Sequence, residues 1–169
     1  GSSDGSVEAV SRAYHDVAVI ANRGNIGFAR ANNLALRKMS GRYALLLNSD
    51  TRLKDGALVR LFDFMEKHAE AGMCGPQLLN GDGSHQNSVG RFPLLVTEFV
   101  SKRLVRVLFP DAYRMVFGSQ TGTSSGPAAA DFIVGACMMV RKQAIDAIGP
   151  LDEDYFFLYE EVDWCFRMH

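Results

Sequence analysis

Apolar residues occur along this chain as short continuous runs and as stripes at helical spacing, a combination that predicts an α/β fold. The run at 43–47 is bounded by turn-forming residues, so we expect a strand buried on both faces at the centre of a parallel sheet. The run at 131–140 is broken at Gly135, where a glycine indicates a bulge or the close approach of a ligand. Further strands are expected at 17–20 and 73–79, the second at the sheet periphery because Pro76 cannot donate to a ladder.

Stripes of apolar residues with a period near 3.6 predict the helices. One helix begins at Phe28 and runs to about residue 40, where Gly41 ends it. A second helix follows Asp55, its expected N-cap, and ends near Gly72. Further helices are expected at residues 7–14, 141–148 and 160–167.

The segment 91–117 is strongly apolar, and the spacing of its apolar residues over 94–109 predicts a helix. It carries five basic residues and two acidic ones. A basic amphipathic helix can lie on an anionic membrane surface, whereas a buried helix packs against its own domain or a second subunit. The pattern favours packing slightly and leaves a peripheral membrane contact open.

The composition of the chain mainly excludes certain classes of protein and of site. The chain has 169 residues, which suits a single domain over 1–169, and its 47% of hydrophobic residues can form a core. A net charge of −1 argues against a general binder of nucleic acids. Cys74, Cys137 and Cys165 have neither disulfide nor metal-ligand spacing, so we expect buried thiols in a reducing compartment such as the cytoplasm. No apolar run approaches the roughly 20 residues of a membrane span.

Two loops carry residues suited to metal and phosphate binding. Asp50 follows the apolar run, at the strand end where open α/β sheets bind ligands, and Asn48 lies two residues before it. The same residues favour turns, so a turn or a helix cap is an equal alternative. Residues 22–28 precede a helix whose N-terminus offers N–H groups to an anion, although a tight strand-to-helix turn explains this loop as well. Asn32 and Asn33 indicate a polar contact with a neighbouring loop or a ligand.

Acidic residues dominate the C-terminal helix. At helical spacing Glu160 and Asp163 share a face with Arg167, which would keep both acids ionised and paired. Glu161 borders the apolar face, where partial burial would raise its pKa toward the working range of a general base. Acids favoured by the helix dipole are the alternative, but that alternative does not explain the aromatic residues at 155–159.

Four sequence blocks, taken in order, resemble the family 2 glycosyltransferases with the GT-A fold, especially the rhamnosyltransferase-like branch. They are residues 3–6 (SDGS), 25–33 (NIGFARANN), 45–51 (LLLNSDT) and 135–141 (GACMMVR), the last followed by 149–167. Each block alone is a weak signal, whereas four blocks in order over nearly the whole chain are specific.

The resemblance implies a GT-A-type mixed, mostly parallel sheet flanked by helices. It also implies inverting transfer of a sugar, rhamnose or similar, from a nucleoside-diphosphate sugar to a saccharide or lipid-linked acceptor in cell-surface polysaccharide synthesis. Mg²⁺ or Mn²⁺ would bind at Asp50, and Glu161 would be the general base, with Glu160 and Asp163 holding the acceptor or orienting the base. The residues implied for donor binding are Asp4, Asn25, Gly27, Asn32, Asn48, Asp50 and Gly135.

The chain departs from the family pattern in three places. Asn48 stands where many relatives have the first Asp of the DxD motif, and Glu161 stands where they have the Asp that usually serves as the base. The strand that opens such domains is missing before Ser3, so we expect a fragment that lacks its first strand, is poorly active alone and self-associates through an exposed sheet edge. The alternatives are a non-catalytic module that binds a metal or a partner and, third, a sugar nucleotidyltransferase.

Overall fold

The computed structural model describes residues 1–92, 107–108 and 126–169, which form helices flanking two sheets. In chain order the helices are α1 (Ser6–Ala13), α2 (Phe28–Leu36), α3 (Ala57–Lys67), α4 (Lys142–Ile148) and α5 (Glu160–Met168). The strands are β1 (Tyr43–Leu47), β2 (Met73–Cys74), β3 (Val89–Gly90), β4 (Phe132–Ile133) and β5 (Cys137–Arg141). The α/β class predicted from the sequence is confirmed.

The larger sheet has the strand order β1-β5-β2, and both of its pairings are antiparallel. Tyr43 pairs with Arg141 and Leu47 pairs with Cys137, so the carboxyl end of β1 meets the amino end of β5. The smaller sheet pairs β3 with β4, also antiparallel. The predicted parallel pairing does not occur among the described residues.

The strand buried on both faces is β5. Residues 137–140 are all nearly inaccessible, and successive side chains of a strand face opposite sides of the sheet. Two of these side chains join an apolar cluster around Trp164, and the other two join a cluster with Leu61 and Met65 of α3. In β1 only Leu46 is buried, because within the described sheet β1 has a partner on one side only. The prediction that the first apolar run is the doubly buried strand was therefore wrong.

Several elements differ in their boundaries from the sequence prediction. Residues 17–20 form no strand, because the described structure places no partner strand beside them. Helix α2 ends at Leu36, earlier than predicted. Gly56, not Asp55, is the N-cap of α3, and its backbone adopts the left-handed conformation that favours glycine. Strand β2 lies at the sheet edge, as Pro76 predicts.

The helix predicted at 94–109 lies outside the described residues, except for Val107 and Leu108, which are helical and exposed. The expected contact of this helix with a membrane or a protein surface therefore stays a prediction. Among the residues that the structure describes, no helix is both long enough and apolar enough to cross a membrane.

The three cysteines are free thiols, as their spacing predicts. Burial raises the pKa of Cys74 to about 11, and burial also raises the pKa of Cys165 to about 11. Both thiols therefore stay protonated at neutral pH and are poor nucleophiles.

Candidate active site

The loop that carries Asp50 is anchored to the residues just before β5. The Asn48 N–H donates a hydrogen bond to the carbonyl oxygen of Ala136 at 3.0 Å, and the Thr51 hydroxyl donates to the same oxygen at 3.4 Å. The antiparallel register of β1 and β5 brings these two segments together. Nothing in the sequence pattern indicated the role of Ala136, since it acts through its backbone.

Gly135 brings this end of the sheet into contact with the first turn of α5. A Cβ atom placed on Gly135 would lie 3.8 Å from the Cβ, Cγ and Cδ atoms of Glu161, which is ordinary van der Waals distance. The break predicted at Gly135 is present between β4 and β5, and the group that approaches it is Glu161. The Asp50 loop, the residues before β5 and the start of α5 therefore meet in one region.

Glu161 has the electrostatic surroundings expected of a proton acceptor. It is half-buried, and burial is the main cause that raises the pKa of its carboxyl above the usual range. The negative charge of Glu160 raises the pKa further, while a backbone hydrogen bond acts in the opposite direction. A pKa raised toward neutrality improves general-base catalysis, and the direction agrees with the one predicted from the sequence.

The two other acids of α5 differ from each other. Asp163 Oδ2 accepts a hydrogen bond from Arg167 Nε at 2.8 Å, as predicted. Arg167 also donates to the carbonyl oxygens of Ile148 and Pro150, each at 2.9 Å. Glu160 is only 5% exposed, and its Oε2 has no hydrogen-bond partner in the described structure. The predicted pairing of Glu160 with Arg167 was wrong, because Asp163 and the loop before α5 take up the guanidinium.

Asn25 and Gly27 line a cavity at the start of α2. Asn25 Oδ1 accepts a hydrogen bond from the Gly27 N–H at 3.0 Å, and Gly27 has a φ of 84°, which favours glycine. The cavity has a volume of about 290 Å³. Its lining residues are Gly1, Ser2, Asn22, Gly24, Asn25, Ile26, Gly27 and Ala31. Its small and polar side chains suit a polar ligand, while the N–H groups of Gly27 and Phe28 at the helix start already donate to Asn25 and Phe156.

Asp4 and Asn32 make local bonds. The Asp4 carboxylate accepts from the N–H of Ser6 at 3.1 Å and from its hydroxyl at 2.6 Å, and these bonds lower the pKa of Asp4. Asn32 Nδ2 donates to the carbonyl oxygen of Phe28 within α2 at 2.9 Å. These contacts leave the donor-binding roles of Asp4 and Asn32 as predictions.

The loop 149–159 links α2 to α5. Asn33 is fully buried, and it donates to the carbonyl oxygen of Leu151 at 2.8 Å and accepts from the Leu151 N–H at 3.1 Å. The Phe28 N–H donates to the carbonyl oxygen of Phe156 at 3.3 Å. The polar contact predicted for Asn33 is confirmed, and its partner is the loop.

The second half of that loop presents large apolar side chains at the surface of the described structure. The exposed residues are Tyr155, Phe156, Phe157, Leu158 and Tyr159. Leu158 and Tyr159 have φ values of 71° and 69°, which bulky residues rarely adopt. Exposed apolar patches of this kind serve as contact surfaces. The resemblance implies an apolar acceptor platform of Tyr155, Phe156, Phe157 and Trp164. For the first three residues this stays a prediction, whereas Trp164 is fully buried and cannot face an acceptor.

The residues at Asp50 fit one mode of binding Mg²⁺ or Mn²⁺. The described residues contain no group of three or more His, Cys, Asp or Glu side chains that would hold a metal by themselves. Mg²⁺ is, however, commonly bound by one or two carboxylates together with substrate phosphates and water. Asp50 is exposed and has the Asn48 amide nearby in sequence, so this oxygen donor set suits a metal that arrives with a diphosphate.

Comparison with known proteins gives relatives that are named as rhamnosyltransferases and as a hexosyltransferase. An N-acetylglucosaminyl-diphospho-decaprenol L-rhamnosyltransferase of Mycobacterium tuberculosis is 28% identical, with 96% of this chain and 56% of the relative covered. A low-salt glycan biosynthesis hexosyltransferase of Haloferax volcanii is 22% identical over 91% of this chain and 47% of its own length. A rhamnosyltransferase of Escherichia coli K12 is 25% identical over 86% of this chain and 55% of its own length.

The chain spans about half the length of the curated relatives that it matches. The family model described as glycosyl transferase family 2 matches residues 1–149, which include Asn25, Gly27, Asp50 and Gly135 and end before α5. On this match, which covers most of its length, the chain belongs to glycosyl transferase family 2.

Proposed function

We propose that the protein carrying this chain transfers a sugar, rhamnose or a similar one, from a nucleoside-diphosphate sugar to a saccharide or lipid-linked acceptor in cell-surface polysaccharide synthesis. The observation that carries the proposal is the convergence of the Asp50 loop and Glu161 at Gly135 and Ala136. A group suited to a diphosphate, within the residues matched by the family model, and a group suited to proton abstraction, beyond them, thereby lie at one end of the sheet. Rhamnosyl and hexosyl transfer in the names of the relatives supports the choice of sugar.

Glu161 is the proposed general base. It would accept the proton from the acceptor hydroxyl as that oxygen attacks the anomeric carbon, while the bond from that carbon to the diphosphate breaks. Its half-buried position and its raised pKa support this role. Glu160 and Asp163 would hold the acceptor or orient the base, and the Asp163–Arg167 pair keeps the first turns of α5 bonded to the loop before it.

Asp50 is the proposed metal ligand, with Asn48 beside it. A divalent cation bound there would supply positive charge to the leaving diphosphate. The cavity at Asn25 and Gly27 is the proposed site of the donor's nucleoside part, since the polar side chains of Ser2, Asn22 and Asn25 line it and suit hydrogen bonding.

We propose a cytoplasmic location at the inner face of a membrane, and a lipid-linked acceptor supports the membrane part of this proposal. The first relative is named for a decaprenol-linked acceptor, and a lipid of that kind resides in a membrane. A peripheral contact would bring Glu161 to the acceptor's sugar without requiring the lipid to leave the bilayer.

The test is a donor screen on the protein that carries this chain. Nucleoside-diphosphate sugars are incubated with Mn²⁺ or Mg²⁺, and release of the nucleoside diphosphate is measured with and without acceptor. Asp50→Asn should abolish metal-dependent donor binding in a calorimetric titration while the circular dichroism spectrum is retained. If metal-dependent donor binding survives Asp50→Asn, the proposed metal ligand is wrong. If no donor is hydrolysed or transferred, the proposed sugar transfer is wrong.

A further inference from the structure

We infer that Asn33 is a positioning residue that holds α5, and with it Glu161, in its place at the site. The inference deepens the proposed function and rests on it for the role of Glu161. Asn33 lies on α2, and its contacts are made with residues about 120 positions later in the chain. No residue of the reaction chemistry is touched, so its effect must pass through the loop before α5.

Every polar group of the Asn33 side chain is engaged with that loop. Nδ2 donates to the carbonyl oxygen of Leu151 at 2.8 Å and to Glu153 Oε1 at 3.0 Å. Oδ1 accepts from the Leu151 N–H at 3.1 Å. An amide side chain has two N–H donors and one oxygen that can accept two bonds, so both donors and the oxygen have a partner at this fully buried position. Two opposed bonds to one residue fix both the distance and the orientation of Leu151.

The loop is bonded to α5 on its other side. Trp164 Nε1–H donates to the carbonyl oxygen of Gly149 at 2.9 Å, and Arg167 donates to the carbonyl oxygen of Pro150 at 2.9 Å. Leu151 is 2% exposed and belongs to the same apolar cluster as Trp164. The residues from Gly149 to Leu151 therefore connect α2 with α5. On the α2 side, the hydrogen bonds of this connection are made by Asn33.

A second contact to the same loop provides a matched control. Arg37 Nη1 lies 3.1 Å from Glu153 Oε1, the oxygen that Asn33 also contacts. The Arg37 side chain is 54% exposed, and an ion pair in water contributes little to stability. Removal of Arg37 therefore loosens the loop far less than removal of the buried amide.

The experiment compares unmodified protein, Asn33→Leu and Arg37→Gln by hydrogen–deuterium exchange and by kinetics, in the protein that carries this chain. Asn33→Leu removes the three bonds, so exchange in peptides covering 149–163 should rise by about 10- to 100-fold. Exchange in β5 should stay at the unmodified level, because a positioning role is local. The kcat should fall with little change in donor KM, and Arg37→Gln should stay within about threefold of unmodified protein in every readout.

A polarity swap covers the case in which Asn33→Leu does not fold. Asn33→Asp keeps an acceptor for the Leu151 N–H but loses the donor and places a negative charge beside Glu153. Adding Glu153→Gln supplies a donor that faces the new carboxylate. The double variant should therefore recover several-fold of the protection and of the kcat that Asn33→Asp loses.

Three results would overturn the inference. These are unchanged exchange in 149–163 with Asn33→Leu, an equal rise of exchange in β5, and an unaltered kcat despite faster exchange. An unmodified protein without transferase activity would overturn the proposed function instead, and the exchange comparison would still decide whether Asn33 holds α5.

Discussion

Gly27→Ala tests the contact between the start of α2 and the loop before α5. Gly27 has φ 84° and ψ 165°, a conformation that residues with a side chain avoid at a cost of about 1–3 kcal/mol. The added Cβ would lie 2.6 Å from the carbonyl oxygen of Phe156 and 3.1 Å from its Cδ2. The loop must move away, which also breaks the bond from the Phe28 N–H to Phe156, worth about 0.5–1.5 kcal/mol. We expect a total loss of about 2–4 kcal/mol in the free energy of unfolding.

Urea unfolding followed by circular dichroism measures this loss. Gly81→Ala is the matched control, because a Cβ at Gly81 meets no atom within 4 Å and its φ lies outside the left-handed region. The control should change the free energy of unfolding by less than about 0.5 kcal/mol. Donor affinity should fall in Gly27→Ala alone, because the cavity beside Gly27 changes shape. A Gly27→Ala protein as stable as the control would refute the reasoning about this close approach.

The remaining predictions concern α5 and the sheet. Glu161→Gln should lower kcat by roughly 10²–10⁴-fold with donor binding near normal, and retention of kcat would remove Glu161 from the role of base. Burial raises the pKa of Glu161, so ionisation of this carboxyl destabilises the folded protein as the pH rises from the unfolded pKa through the folded one. In urea titrations, Glu161→Gln should therefore be more stable relative to unmodified protein at pH 8 than at pH 4. An equal difference in the free energy of unfolding at both pH values would contradict this. Arg141→Met should lower the free energy of unfolding by about 2–4 kcal/mol, because the guanidinium donates to the carbonyl oxygens of Met65 and His68 at the end of α3. Arg42→Met changes a side chain that is 70% exposed and should lower it far less. Equal urea midpoints for the two variants would refute the comparison.

Local pattern predicted the elements of this fold better than their partners. The apolar run at 43–47 and the break at Gly135 were both found where the sequence predicts them. The partner of β1 was not predictable, because periodicity describes which faces of a strand are apolar and not which strand pairs with it. The strand that is buried on both faces is β5, and its residues 137–140 are as apolar as the run at 43–47.

Helical spacing predicted the candidate site in part. It placed Asp163 beside Arg167 correctly, since both lie on one helix. It failed for Glu160, because the position of α5 against the rest of the domain decides that this carboxylate is buried, and that position depends on tertiary contacts such as the one from Asn33. The resemblance of the sequence blocks to family 2 agreed with the family match, whereas the roles of the individual site residues await the variants described above.

The pairing of β1 with β5 has a consequence for synthesis of the protein on the ribosome. Tyr43 and Arg141, which pair at one end of the two strands, are 98 positions apart in the chain. At about 5–20 residues per second, β1 emerges roughly 5–20 s before its partner strand exists. Throughout that interval an apolar strand has no native neighbour in the described sheet, a situation that favours chaperone binding and aggregation. Translation rate and chaperone supply are therefore expected to govern how much of this protein is recovered in soluble form.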